Sequence, residues 1–317
     1  MNDILSVEAV CYKYKNNEVE ANHNISFRIN KGEIVGLFGP NGAGKTTLVR
    51  QICGTLRVQK GIIQVNNKNI SIQPKIISEV ISSLNQTMYM HRFLKPVEYI
   101  THTGIYRGMK PEIAKKQALQ LMEYFDLKNI SNNLLMNLSG GERRVVGFLA
   151  SIIGFRPFVV LDEPTNDIDP EKRACIWKMI NHLKNSLGMS FLLVTHNITE
   201  AEEVVDRVVV LNHGNIIVQG KPQELLKTNE INKKIVFTLP YYENIKCETL
   251  SNLMNLKVKN IDSERFYFYS HNLNVEDNIK LLYSNLNGIK IKDIQIIEPS
   301  LQDIYIQIMK EKINNEG

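Results

Sequence analysis

The apolar and polar positions of the chain fall into a few repeating patterns. Leu5, Val7 and Ala9 alternate with polar residues, and Ile25, Phe27 and Ile29 do the same, so residues 4–30 are predicted to be β-structure. Unbroken apolar runs at Ile34–Phe38, Phe158–Leu161 and Phe191–Val194 read as buried strands. Ile62–Val65 and Val80–Leu84 are two further candidate strands. Helices are expected from Thr47 to Cys53, where Gly54 can end the turn, and from Val145 to Ile153. Pro96 and Pro111 open helices reaching Arg107 and Phe125, since proline suits a first helical position whose N–H would be unpaired anyway. In the second of these, Ile113, Ala114, Ala118, Leu121, Met122 and Phe125 form one apolar face. The segment from about 88 to 155 therefore reads as a helical insertion in an α/β domain.

The pattern changes after Gly220-Lys-Pro-Gln-Glu-Leu-Leu226. Residues 229–317 are rich in Asn, Lys and Ile. They read as strand 235–239, helix 247–254, strands 256–261 and 265–269, helix 275–286, strand 289–297 and a last helix from Ser300. That order, βαββαβ plus a helix, predicts a small ferredoxin-like α+β domain. The expected organisation is thus 1–228 and 229–317, in keeping with a length of 317 residues.

Composition narrows the classes. A net charge of +5 is mild and does not call for nucleic acid; a basic face near anionic lipid or nucleotide serves as well. Cys11, Cys53, Cys175 and Cys247 are scattered with no C-x-x-C pair, which reads as reduced thiols rather than a disulfide frame or zinc site. The start, MNDILSVEAV, carries no basic, apolar leader pattern. The longest apolar run, Val145 to Phe155, is bracketed by Arg144 and Arg156 and is too short to cross a bilayer.

The chemistry concentrates in a few stretches. Gly39-Pro40-Asn41-Gly42-Ala43-Gly44-Lys45-Thr46-Thr47 fits G-x-x-x-x-G-K-[ST] between a predicted strand and a predicted helix. Backbone N–H groups and a helix N-terminus then converge on one spot, an anion site before any side chain is counted. Lys45 is placed for outer phosphates and the Thr46 hydroxyl for Mg²⁺. Upstream, Tyr12 or Tyr14 is available to stack on a purine. Gln86 lies at a strand end. Leu138-Ser139-Gly140-Gly141-Glu142 carries an N-cap serine and a capping-box glutamate, a second helix N-terminus suited to an anion. Phe158-Val-Val-Leu-Asp162-Glu163-Pro164 ends a buried strand in adjacent acids. Ligands bind at such strand ends in open α/β sheets. Asp162 suits Mg²⁺; Glu163 suits orienting and deprotonating a water that attacks a γ-phosphate. Asp169 precedes a helix opened by Pro170, and His196 ends another apolar strand, placed for a γ-phosphate contact.

Taken in order, these stretches resemble the nucleotide-binding domain of an ATP-binding cassette (ABC) transporter over roughly residues 4–228. The resemblance implies a P-loop NTPase cassette: a parallel-sheet core, an antiparallel β subdomain and a helical subdomain, followed by the small α+β domain. It implies ATP and Mg²⁺ as ligands. Tyr14 matches the adenine-stacking aromatic, with Tyr12 the alternative. Gln86 matches the loop glutamine that senses Mg²⁺. Ser139, Gly140 and Gly141 match the signature that binds ATP held by the other protomer. Glu163 matches the base, Asp169 the dimer-loop acid and His196 the switch histidine. Glu142, where glutamine is frequent, and Asn166-Asp167-Ile168 are departures. The closing Pro299-Ser300-Leu301-Gln302-Asp303 resembles an exporter branch. The implied protein is a transport ATPase at the cytoplasmic face of the membrane. It pairs with a second copy of itself and with an integral membrane permease, and no nucleic acid is expected. The alternative is a soluble ABC ATPase acting on ribosomes, nucleic acid or an assembly complex.

Overall fold

A computed structural model describes residues 3–15, 19–86, 90–228, 233–240, 247–254, 256–270, 275–286 and 290–315. They separate into two compact units, 1–220 and 221–317.

The first unit holds two sheets. Strands β1 (Asp3–Tyr12), β2 (Asn22–Asn30), β4 (Lys60–Val65) and β5 (Lys68–Asn69) form an antiparallel sheet in the order β2-β1-β4-β5. The alternation Leu5–Val7 against Ile25–Phe27–Ile29 puts one face of this sheet inward. The other sheet has the order β10-β9-β3-β8-β7-β6, from β3 (Ile34–Phe38), β6 (Ile81–Leu84), β7 (Phe158–Asp162), β8 (Ser190–Val194), β9 (Arg207–Asn212) and β10 (Asn215–Gly220). Its neighbours run parallel except β9 and β10. The unbroken apolar runs become strands buried on both faces, as parallel sheets require. One core joins the sheets across α1 (Lys45–Ile52), with Leu48, Val49 and Ile52 against Leu5, Ile29, Val35 and Val160.

Helix α2 (Lys75–Val80) precedes β6, so the apolar run read from Val80 becomes a strand only at Ile81. Helices α3 (Pro96–Tyr106), α4 (Pro111–Tyr124) and α5 (Gly140–Ile152) pack on one another. Ala114, Ala118, Leu121, Met122 and Phe125 are buried there, but Ile113 is 55% exposed. It lies at the edge of the apolar stripe, beside Met109, Gly154 and Phe155 on an open cavity, and does not belong to the packed face. Helices α6 (Pro170–Leu187) and α7 (Ile198–Glu202) follow β7 and β8.

The second unit begins with α8 (Pro222–Thr228). Its sheet, β12-β13-β11-β14, is antiparallel throughout, from β11 (Lys233–Thr238), β12 (Lys259–Asn260), β13 (Arg265–Ser270) and β14 (Asp293–Ile297). Helix α9 (Cys247–Met254) connects β11 to β12, α10 (Val275–Asn285) connects β13 to β14, and α11 (Leu301–Asn315) closes the chain. That is the split βαβ order. Ile235, Phe237, Phe266, Phe268, Leu250 and Leu282 form its own core. Asp303 fastens α11: it accepts from the Ser300 N–H at 2.9 Å and Oγ at 3.0 Å, and from Lys234 Nζ and the Tyr269 hydroxyl at 2.8 Å.

Candidate nucleotide site

The site grows from the turn between β3 and α1. Gly39, Gly42 and Gly44 all have positive φ, and Gly44 stands at the N-cap of α1. A Cβ at Gly44 would lie 2.2 Å from the Ala21 carbonyl oxygen, so only glycine lets the loop close against β2. Asn22 Nδ2 donates to the Gly44 carbonyl at 3.1 Å and fixes that approach. The loop bounds an open cavity of about 380 Å³ lined by Asn41, Gly42, Ala43, Gly44, Lys45, Thr46 and Thr47, with Tyr14 and His213 on its walls. Lys45 Nζ is turned back onto the loop, donating to the Gly39 carbonyl at 2.7 Å and the Pro40 carbonyl at 2.9 Å. Burial holds its pKa below the ordinary lysine value, against the opposing pull of Glu163 and Asp162.

Tyr14 faces this cavity and its hydroxyl lies 3.2 Å from Thr47 Oγ1. Tyr12 is not among the lining residues; its ring meets that of Tyr14 edge-on at 4.8 Å. Of the two aromatics, Tyr14 is the one at the cavity.

The acids come from the next strands over. Strands β3, β8, β7 and β6 are consecutive neighbours and parallel, so their C-terminal ends share one edge. That edge carries Lys45 and Thr46 after β3, His196 after β8, Asp162 and Glu163 at β7, and Gln86 after β6. Asp162 and Glu163 are both buried. Burial first, then the neighbouring Glu163 charge, pushes the Asp162 carboxyl up to about 6. Arg144, Lys45 and the Gln86 N–H act in the other direction. Glu163 has a left-handed backbone, φ 51°, which turns its carboxylate toward β8. There Oε1 meets His196 Nδ1 at 2.8 Å and accepts the His196 N–H at 3.1 Å, while Thr195 Oγ1 donates to Oε2 at 3.0 Å. Thr46, Asp162 and Gln86 offer a hydroxyl, a carboxylate and an amide, all oxygen donors. That set fits a hard divalent cation such as Mg²⁺.

Gln86, Asp162, Glu163 and His196 are not among the residues lining the cavity, nor are Ser139–Glu142 and Asp169. Ser139 caps α5 through the Glu142 N–H at 3.2 Å, and Glu142 Oε2 in return accepts the Ser139 N–H and hydroxyl, each at 2.8 Å. Those bonds, the backbone one first, hold Glu142 below the ordinary glutamate range. Gly140 has open space where a Cβ would be, whereas Gly141 would meet the Asp167 carbonyl at 2.7 Å. Asp169 caps α6, accepting the Lys172 N–H at 3.0 Å.

Sequence reading missed Arg144. It is 5% exposed, one turn into α5, and its guanidinium gathers main-chain carbonyls from the ends of both β6 and β7. Nη1 donates to Asn85 at 3.0 Å and Gln86 at 2.9 Å, Nε donates to Glu163 at 2.8 Å, and Nη2 donates to Asp162 and Glu163. The available signal was a charge four residues before Phe148 on the apolar side of a helix.

Comparison with known proteins gives a consistent picture. The sequence matches the family described as ABC transporter over residues 22–166. It is 33% identical over 233 residues to the lipopolysaccharide export system ATP-binding protein LptB of Haemophilus influenzae, covering 73% of this chain and 95% of that one. The Nod factor export ATP-binding protein I of Ralstonia nicotianae is 33% identical over 74% of this chain and 71% of its own. The doxorubicin resistance ATP-binding protein DrrA of Mycobacterium tuberculosis is 31% identical over 69% of this chain and 66% of its own. Among solved structures, an ATP-binding subunit of an ABC transporter superposes with a TM-score of 0.67 at 22% identity, covering 71% of this chain and 93% of that one. A dimeric ATP-binding cassette in a post-hydrolysis state bound to ADP and Pi superposes with a TM-score of 0.64 at 24% identity, covering 68% and 98%.

Proposed function

The chain belongs to the ABC transporter family of ATP-binding proteins, and from that premise we propose that it is the ATPase subunit of an exporter. It works as a head-to-tail homodimer beneath a separate integral membrane permease at the cytoplasmic face of the membrane. The observation that carries this reading is the shared C-terminal edge of β3, β8, β7 and β6, which gathers Lys45, Thr46, His196, Glu163, Asp162 and Gln86. Export rests on the relatives, several of which are named for export or drug resistance. No helix among the described residues is long and apolar enough to cross a membrane, which fits a subunit that docks on a spanning partner.

In this reading the adenine stacks on Tyr14 and the phosphates enter the loop Gly39–Thr47. Lys45 exchanges the Gly39 and Pro40 carbonyls for phosphate oxygens, a stronger charge-assisted pairing. Thr46, Asp162 and Gln86 would hold Mg²⁺, which would offset charge on the phosphate oxygens. Glu163 takes the proton of the attacking water. Its carboxylate accepts here from Thr195 and His196, which fill three of its about four lone-pair sites, and release of His196 Nδ1 frees a second site for the water. The released imidazole turns to the γ-phosphate. Ser139, Gly140 and Gly141 supply the second helix N-terminus to the partner's nucleotide, with Asp169 beside the interface.

The test is Glu163→Gln. It should retain ATP, run as a dimer on gel filtration and co-purify from detergent extracts with a multi-span membrane protein in near-equal amount. Hydrolysis at the wild-type rate removes Glu163 as base. Recovery of ribosomal or other soluble partners without a membrane protein selects the soluble-ATPase alternative.

A further inference from the structure

The β1–β2 pairing is irregular near its end, and the irregularity assembles a group of side chains that the nucleotide chemistry does not use. Register shifts occur between Val7 and Val10 and between Val10 and Tyr12, with Ala9 and Asn24 both in left-handed conformations. The resulting bulge brings Cys11 alongside Glu20 and His23. A sulfur, a carboxylate oxygen and an imidazole nitrogen from these residues all lie within 4.8 Å of one another. No other group of His, Cys, Asp and Glu among the described residues meets that condition.

We propose that Cys11, Glu20 and His23 form a binding site for a thiophilic divalent cation, Zn²⁺ above all, at the rim of the nucleotide cavity. The donor set of one thiolate, one imidazole and one carboxylate is the N/S/O mixture Zn²⁺ takes, with a water completing a tetrahedron. Bonds of about 2.0–2.3 Å set donor atoms a little under 4 Å apart in such a tetrahedron. Side-chain rotation alone covers that adjustment, because the His23 ring is exposed.

The surroundings select the class of ion. Asn24 N–H donates to Cys11 Sγ at 3.2 Å, a backbone donor of the kind that supports a metal-bound thiolate. His23 Nδ1 and Glu20 Oε2 share a proton at 2.8 Å, and a cation entering between them takes that proton's place. With a single carboxylate beside a sulfur and an imidazole, the site offers too few oxygens for Mg²⁺ or Ca²⁺ and suits the ion that bonds strongly to sulfur and nitrogen. Glu20 itself lines the nucleotide cavity, and the Ala21 carbonyl next to it closes on Gly44. The site is therefore adjacent to the phosphate loop but uses none of its residues.

The experiment uses the full-length, nucleotide-free, reduced protein after chelator treatment, with millimolar Mg²⁺ present throughout, so its result is independent of the ATPase reading. Zn²⁺ is titrated by calorimetry, and Co²⁺ is followed by absorption. Stoichiometric binding is expected, with a thiolate-to-cobalt charge-transfer band. Cys11→Ser should abolish the band, and His23→Gln should weaken Zn²⁺ binding by more than the tenfold or so that losing even an outer-shell partner costs. His23→Gln changes an exposed side chain, so it reports on the site even if Cys11→Ser perturbs β1. Wild-type protein that binds no Zn²⁺ beyond Mg²⁺ competition overturns the proposal. So does a charge-transfer band that survives Cys11→Ser, or unchanged affinity in His23→Gln.

Discussion

Arg144 sits at the centre of the site without touching the nucleotide cavity, and removing it has a calculable effect. Its guanidinium holds the carbonyls of Asn85, Gln86, Asp162 and Glu163, the main chain at the ends of β6 and β7. Hydrogen bonds to a charged group contribute about 1.5–3 kcal/mol each. Water re-satisfies part of the loss, and truncating one member of a buried charged network costs about 3–5 kcal/mol. Arg144→Met keeps the stem volume and removes the fork. At about 2–4 °C per kcal/mol for a domain of this size, the cassette melting transition should fall by roughly 6–20 °C. Arg144→Lys should lie between, since a compact ammonium reaches fewer of the carbonyls than a planar fork.

A second readout separates positioning from simple stability. Arg144 is one of the charges that hold Asp162 down; without it, the Asp162 carboxyl rises further above about 6. If hydrolysis needs ionised Asp162, the acid limb of the rate profile moves to higher pH in Arg144→Met. The rate constant should fall more than the affinity for ATP, because the phosphate loop hangs from β3 rather than β6 or β7. Circular dichroism melts and ATPase rates from pH 5 to 8 measure both. A variant with the wild-type melting temperature and an unmoved acid limb would refute the reasoning.

Lys45→Ala removes the cation of the phosphate loop and should abolish tight ATP binding by fluorescence titration; unchanged affinity would withdraw that assignment. The Asp162 carboxyl titrates at about 6, above the free value near 3.9. Ionised Asp162 therefore destabilises the nucleotide-free fold, and its stabilising, protonated form is lost as pH rises through that window. Binding of Mg·ATP needs the ionised form, so near pH 6 it should release protons and weaken further on acidification. Calorimetry in buffers of different ionisation enthalpy reads this, and binding with no proton release at pH 6 excludes it. In the second unit, Asp303→Ala leaves a half-buried Lys234 without its carboxylate and frees α11, and should lower that unit's stability by about 2–4 kcal/mol in denaturant melts. No change there would mean that the Pro299–Asp303 ending does not fasten the fold.

Much of this molecule is determined locally. The phosphate loop, the strand Phe158–Asp162 and the capping box Ser139–Glu142 are set by residues within a few positions of each other. Backbone conformation, helix caps and apolar runs are short-range effects, and the sequence carries them directly. The elements of the second unit are legible for the same reason: Ile235, Val236 and Phe237 form a buried apolar run, Phe266 and Phe268 alternate with half-buried positions, and Ser300 starts a helix. Ile113 marks the limit of that logic. It has the right period for the face of α4, yet it is exposed, because the width of a packed face depends on how far the neighbouring helices reach.

The tertiary structure alone decided which distant residues meet. The order β3-β8-β7-β6 sets β8 between the phosphate loop and the acids, and that is why His196 reaches Glu163. It chose Tyr14 over Tyr12 for the cavity wall and recruited Arg144 to four carbonyls that no local pattern announces. It also set Cys11 beside Glu20 and His23, although the spacing of the cysteines gives no metal pattern. Strand order and register are settled by how the whole core packs, and a change in either would exchange every one of these partners while leaving each motif intact.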